Sequence, residues 1–148
     1  MGGDSPAVSA LRVASMHERL RHALEASVTG DVDLIDEVFT EDVVVRSPAL
    51  SVSSRQQLKD DLEDRDDGLS NVRIAVTDID VVGEKAIAEW RIEAEHSGPV
   101  LVGDDVLIEA TGRAVVLSGA TFAEFAGSRI ACIRHYFDDA SVMEQLLL

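Results

Sequence analysis

NVRIAVTDIDVVGEKAIAEWRIEAEH, residues 71–96, is where the chain changes its period. Val72, Ile74 and Val76 share one parity, then Ile79 and Val81 take the other. Alternation of this kind reads as strand, and the switch of parity predicts a bulge near Thr77–Asp78. Gly83-Glu84 suits a two-residue hairpin turn with glycine first. The second arm alternates without a break. Ala88, Trp90, Ile92, Ala94 and His96 face one way, and Glu89, Arg91, Glu93 and Glu95 face the other. One face is apolar and the other charged, as in an antiparallel sheet with a single buried side.

Upstream of this hairpin the spacing is helical. From about Ala10 to Val28 apolar residues recur every three to four positions, and Gly30 is the expected stop. Asp31 can cap a short second helix carrying Leu34, Ile35, Val38 and Phe39 on one face. EDVVVRSPA then reads as a short strand ended by Pro48. Ser54 and Gln57 form a capping-box pattern, which opens an acidic third helix closed near Gly68.

Downstream, SGPVLVGDD reads as a loop with some strand character. GRAVVLSGATFAEF reads as a long strand, Gly127-Ser128 as a turn, and Arg129 to Phe137 as a last strand. A final helix follows from about Asp139, and Asp138 and Asp139 suit its first turn as caps. Helices first and strands after them give the α+β class. Long antiparallel strands with helices on one face imply a curved sheet over a cavity. Residues 1–9 read as a flexible tail, and residues 10–148 as one domain.

Composition narrows the partners. The chain has 148 residues, 46% of them hydrophobic, and a formal charge of −15. A surface this acidic repels phosphate backbones and anionic lipid, so neither nucleic acid nor membrane is an expected partner. The first residues lack a basic and apolar leader pattern, and a cytoplasmic location is the expectation. Cys132 is the single cysteine, so it has no partner for an internal disulfide. The four histidines show no HxH, HxxxH or HExxH spacing, and no metal or cofactor is expected.

Several stretches together resemble a known superfamily. SVTGDVDLIDEVFTEDVVVRSP resembles the helix–Gly-Asp–helix–strand opening of the nuclear transport factor 2-like fold. EWRIEAEHSGP, EATGRAVVLSGATFAEF and SRIACIRHYFDDASVMEQLLL resemble three successive motifs of its SnoaL-like branch. The resemblance implies a cone, in which a curved antiparallel sheet wraps the long first helix and a pocket opens between them. It also implies a homodimer through the outer sheet face.

The branch's catalytic positions are changed here. Isomerases of this fold carry a base where Ser47 stands, a protonated acid where Ala120 stands and a tyrosine near Ala23. The polyketide cyclases carry an acid/base aspartate near the same Ala120. The pairing implied by the resemblance turns Val116, Ser118, Ala120 and Phe122 inward on one strand, and Ala131, Ile133, His135 and Phe137 on the next. Cys132, Arg134 and Tyr136 then lie on the dimer face.

What remains for chemistry is a short set of residues. His135 is the acid/base candidate, because imidazole both gives and takes a proton near neutral pH. His96 is the second candidate, at the pocket rim. Trp90, Phe122, Ile133 and Phe137 are candidate apolar walls, with Arg46 and Ser47 as polar contacts near the mouth. Each also has a plain structural use, in the core or in a surface ion pair. Two functions follow. One is a cofactor-independent enzyme acting on a small apolar molecule by proton transfer, as a cyclase, isomerase, lyase or hydrolase does. The other is a non-catalytic binding or accessory dimer, consistent with Ser47 and Ala120 at the positions of the lost acids.

Overall fold

The computed structural model describes residues 6–64, 68–102 and 106–147; residues 1–5 of the expected tail lie outside it. Helix α1 spans Pro6–Thr29, starting ahead of the Ala10 read from periodicity. Pro6 explains the earlier start, since proline at a first helical position gives up only an N–H that has no partner there. Its first ten residues are exposed, and its buried stripe is Met16, Leu20, Ala23, Leu24 and Ala26. Helix α2, Val32–Val38, is capped by the Asp31 carboxylate, which accepts from Asp33 N. Strand β1 covers Phe39–Arg46 and the short β2 covers Ser51–Val52.

Helix α3, Arg55–Asp64, opens on the expected box. Ser54 Oγ accepts from Gln57 N, and Gln57 Oε1 accepts from Ser53 N. Asp36 of α2 ties the two short helices together. It meets Lys59 Nζ at 2.6 Å and Arg55 Nε at 3.1 Å. The Lys59 hydrogen bond, with the nearby arginine charges, holds the Asp36 carboxyl below its ordinary range.

The long strands are β3 (Leu69–Val82), β4 (Lys85–His96), β7 (Ala114–Ala126) and β8 (Arg129–Phe137). The β3–β4 register shifts between Val76 and Asp78, where the change of parity placed a bulge, and again between Ser70 and Arg73. Gly83 makes the tight turn at φ 61°. The connection after β4 holds a small ladder of β5 (Val100–Val102) and β6 (Val106–Ile108), which the sequence showed only as strand character. Helix α4 spans Asp139–Leu147, and Asp138 Oδ1 accepts from Ala140 N and Ser141 N.

The main sheet runs β2-β1-β8-β7-β4-β3. Two of its features depart from the expectation. The sheet is mixed, because β1 runs parallel to β8, and it stays open between β2 and β3. The first departure has a topological cause: β1 reaches β8 across the whole chain rather than through a hairpin. The inner face packs on α1 through Ile79, Ala86, Ala88, Trp90, Ala123, Phe125, Ile130 and Ile133, all buried.

Strand β8 ends opposite Gly119, so the first half of β7 lacks a neighbour on that side. Gln145 of α4 supplies one. Its Oε1 accepts from Val116 N at 2.8 Å and its Nε2 donates to Val116 O at 2.7 Å. One amide thus stands in for a strand residue and seats the last helix. Gln145→Leu is expected to cost about 1–2 kcal/mol, as two backbone groups lose their partner. Urea unfolding and amide exchange at Val116 measure this. Unchanged stability with unchanged Val116 exchange would show that the clamp holds nothing.

Candidate functional site

The register of β7 with β8 decides which side chains meet. A regular hairpin from the Gly127-Ser128 turn pairs Ala126 with Arg129 and Phe125 with Ile130, and both pairs are present. Continued without interruption, it would pair Phe122 with Ile133 and Ala120 with His135. Instead the register shifts after Phe125. Glu124 faces Cys132, and Ala131 is left over as a bulge. From there Ala123 faces Ile133, Thr121 faces His135 and Gly119 faces Phe137.

The shift inverts β7 relative to the expectation. Its inward residues are Val115, Leu117, Gly119, Thr121, Ala123 and Phe125. Phe122, expected as a pocket wall, turns outward with Ala120. Phe122 is 36% exposed, stacks edge-on with Tyr136 at 5.7 Å and lies under the Arg134 guanidinium.

On the helix-facing side a polar chain crosses the sheet. Trp90 Nε1 donates to Thr121 Oγ1 at 2.8 Å. The same oxygen lies 2.8 Å from His135 Nδ1. Trp90 and Thr121 are buried, and His135 is half-buried. Phe137 adds a second ring, tilted 6.2 Å from the indole. Ile133 is fully buried beneath them, between Ala123 and Val45. Three polar groups thus meet in an apolar bed, with the Phe137 ring beside the indole.

Gly119 makes room for the indole. A Cβ built there would come within 2.5 Å of Trp90 Cζ2 and 2.6 Å of Tyr136 O. Glycine inside a strand signals such a close approach, and the Ser118-Gly119-Ala120-Thr121 stretch carries that signal in the sequence. Thr121 itself could be found only once the register was known.

The other candidates lie elsewhere. His96 is fully buried at the far end of β4. From Ala88, the β4 residue level with Thr121 and His135, it is about 26 Å along the strand. His96 Nδ1 accepts from Thr111 N at 3.1 Å and lies 2.9 Å from Thr111 Oγ1. Its Nε2 is buried without a hydrogen-bond partner among the described residues. The ring fastens the β6–β7 connection to the end of β4, so the two histidines do not share a site. Arg46 is exposed and bonds Ser51 Oγ across the β1–β2 turn. Ser47 Oγ accepts from Ala49 N and Leu50 N in the same turn. Both make these hydrogen bonds within the corner where β1, which runs beside β8, turns into β2. Two open clefts flank the Gly127-Ser128 turn, at the opposite end of the sheet from His96.

On the outer face Ile87, Phe122 and Tyr136 are exposed. Arg134 meets Glu124 at 3.3 Å. A hydrogen bond from the Cys132 thiol, with the Arg134 charge, holds the Glu124 carboxyl below its ordinary range. Among the described residues no helix is long and apolar enough to cross a membrane.

Comparisons with known proteins agree with this architecture. A family model described as SnoaL-like polyketide cyclase matches residues 17–146. IdmH from Streptomyces antibioticus shares the fold with a TM-score of 0.70 at 16% identity, over 89% of this chain and 98% of that one. An LEH-like epoxide hydrolase from M. tuberculosis gives 0.66 at 16% identity, over 90% of each chain. A protein of ketosteroid isomerase-like fold from Catenulispora acidiphila, solved in complex with trimethylamine, gives 0.66 at 19%, over 88% and 93%. At such identities the structural likeness speaks for the fold alone. No curated protein sequence matches the chain.

The packing at Gly119 has a direct check. Gly119→Ala is expected to push the indole off Thr121 and destabilise the protein by about 1–3 kcal/mol through overpacking. Trp90 is the single tryptophan, so its fluorescence reports the displacement as a red shift. An unchanged spectrum with unchanged stability would contradict the close packing.

Proposed function

The chain belongs to the SnoaL-like polyketide cyclase family, and on that premise we propose that it is a cofactor-independent enzyme for a small, mostly apolar molecule, with His135 as its working group. The observation that carries the reading is the 2.8 Å contact between His135 Nδ1 and the buried Thr121 hydroxyl. It fixes the ring on the helix-facing side of the sheet, against Trp90 and Phe137. An imidazole held in an apolar setting acts more strongly on a ligand's oxygen or proton than it would in water. Cyclisation, isomerisation and epoxide opening all need such a group. Trp90, Phe137 and Ile133 are the apolar walls in this reading, and His96 is assigned to fastening the β6–β7 connection.

A second reading is a binding protein without catalysis. It is favoured by the residues at the family's acid positions, since neither Ser47 nor Ala120 carries a carboxylate and the inward residue beside Ala120 is a threonine. Two probe reactions separate the readings: α-proton exchange of 2-tetralone in D2O, followed by NMR, and ring opening of styrene oxide. The enzyme is expected to accelerate at least one over buffer, and His135→Gln to remove about 100-fold of that rate. Circular dichroism checks that the variant is folded. Saturable binding of both probes, with neither reaction accelerated, would leave the binding reading in place.

The protein is also proposed to act as a homodimer through the outer sheet face. The exposed Ile87, Phe122 and Tyr136, with Arg134 lying over the Phe122 ring, support this. These groups combine an apolar centre with aromatic and arginine side chains, the residue types enriched at interfaces. Light scattering at micromolar concentration is expected to give twice the chain mass, and Tyr136→Asp to give the single-chain mass. A wild-type protein of single-chain mass would contradict the dimer.

A further inference from the structure

The geometry points to a second site, separate from the Trp90–Thr121–His135 chain. The cleft between α1 and the Gly127-Ser128 turn takes a small organic carboxylate, which docks on Arg12 in exchange for Glu84. Nothing in this depends on the reading of His135.

Arg12, Ser15, Met16 and Arg19 line the cleft from the helix. Residues at this spacing share one face of a helix. Glu84, Phe125 and Ser128 line it from the sheet and its turns. The cleft has a volume of about 410 Å3, within the range of small-molecule sites. Met16 and Phe125 are both buried and give it an apolar floor. Arg12 and Arg19 bracket that floor, each about one helical turn from Met16.

The charge in this cleft runs against the rest of the chain. Acidic residues outnumber lysine and arginine 28 to 13 overall. In the cleft two guanidiniums face one carboxylate. The cleft on the other side of the turn is balanced, with Arg55 and Arg129 beside Asp36 and Glu41, and Arg55 is already held by both acids. Of the two, the Arg12 cleft is the one that offers charge to an anion.

Neither arginine is saturated by the contact it makes. A guanidinium carries five N–H donors. Arg19 gives one to the Glu37 carbonyl at 2.9 Å, which anchors its head at the cleft wall. Arg12 meets Glu84 through one nitrogen at 3.4 Å, and the two side chains are 50% and 72% exposed. A long, single contact between exposed charges contributes little to stability. A ligand carboxylate can instead take the guanidinium fork with both oxygens. A flat apolar body behind it would cover Met16 and Phe125. Glu84 thus marks where the ligand's carboxylate sits and competes with it for Arg12. The two residues therefore act in opposite directions: loss of Arg12 weakens binding, and loss of the Glu84 charge strengthens it.

The test is a titration of the 15N-labelled full chain with benzoate at constant ionic strength, followed by NMR at the amides of Ser15, Glu84 and Ser128. Saturable shifts are expected at these positions. Arg12→Gln should raise the half-saturating concentration about ten-fold, and Glu84→Gln should lower it about three-fold. Benzamide, which has the same ring without the charge, should bind about ten-fold more weakly than benzoate. His135→Gln should leave the titration unchanged, which separates this cleft from the Trp90–Thr121 region. The rest of the amide spectrum reports that each variant is folded. Absence of saturable shifts in the wild type would overturn the inference. So would undiminished binding in Arg12→Gln, equal binding of benzamide, or a titration abolished by His135→Gln. Unchanged affinity in Glu84→Gln would overturn the exchange with Glu84.

Discussion

The extra residue at Ala131 sets the face of everything that follows it in β8. Side chains on a strand alternate, so one inserted residue exchanges the two faces for the remainder of the strand. Ile130 and Ile133 are three positions apart, yet both are fully buried on the helix-facing side. Only an irregularity between them allows that, and the break in pairing after Phe125 is where it occurs. The same step aligns His135 with Thr121. Without it, His135 would stand opposite Ala120, a side chain with no hydrogen-bonding group.

That alignment depends in turn on β4. Thr121 faces Ala88, and Gly119 faces Trp90. A small residue across from each larger partner lets the indole lie over the strand and reach the threonine two positions on. The order large–small–large of Trp90, Gly119 and Phe137 across three strands is a packing solution first. It becomes a candidate site because the atoms it brings together are an indole N–H, a hydroxyl and an imidazole. The C-terminal segment closes the same region. Where β8 stops at Phe137, Asp138 starts α4 and Gln145 returns to the open edge of β7.

Much of this was legible in the sequence because it depends on local periodicity. The bulge near Thr77–Asp78 showed as a change of parity, the β3–β4 turn as Gly-Glu, and the α3 entry as Ser54 with Gln57. The Ala131 bulge was not legible. Arg-Ile-Ala-Cys-Ile has no glycine or proline to mark it, and its apolar residues fit either face. Phe122 was therefore assigned to the wrong side, while His135, read from the same resemblance, lies on the helix-facing side. The family likeness directed attention to Ala120, and the inward residue is its neighbour. The parallel β1–β8 pairing stayed hidden for a different reason, since it joins segments about ninety residues apart.

The choice of a threonine at this point bears on the chemistry. A carboxylate there would accept from both the indole and the imidazole, and would draw the histidine's proton to Nδ1. It would also put a charge in an apolar bed, at a large desolvation cost. A hydroxyl can both accept and give a hydrogen bond, so it meets the indole and the imidazole together. It does so without a net charge. In a domain whose acid positions hold Ser47 and Ala120, the Thr121 hydroxyl links indole to imidazole without itself adding a carboxylate.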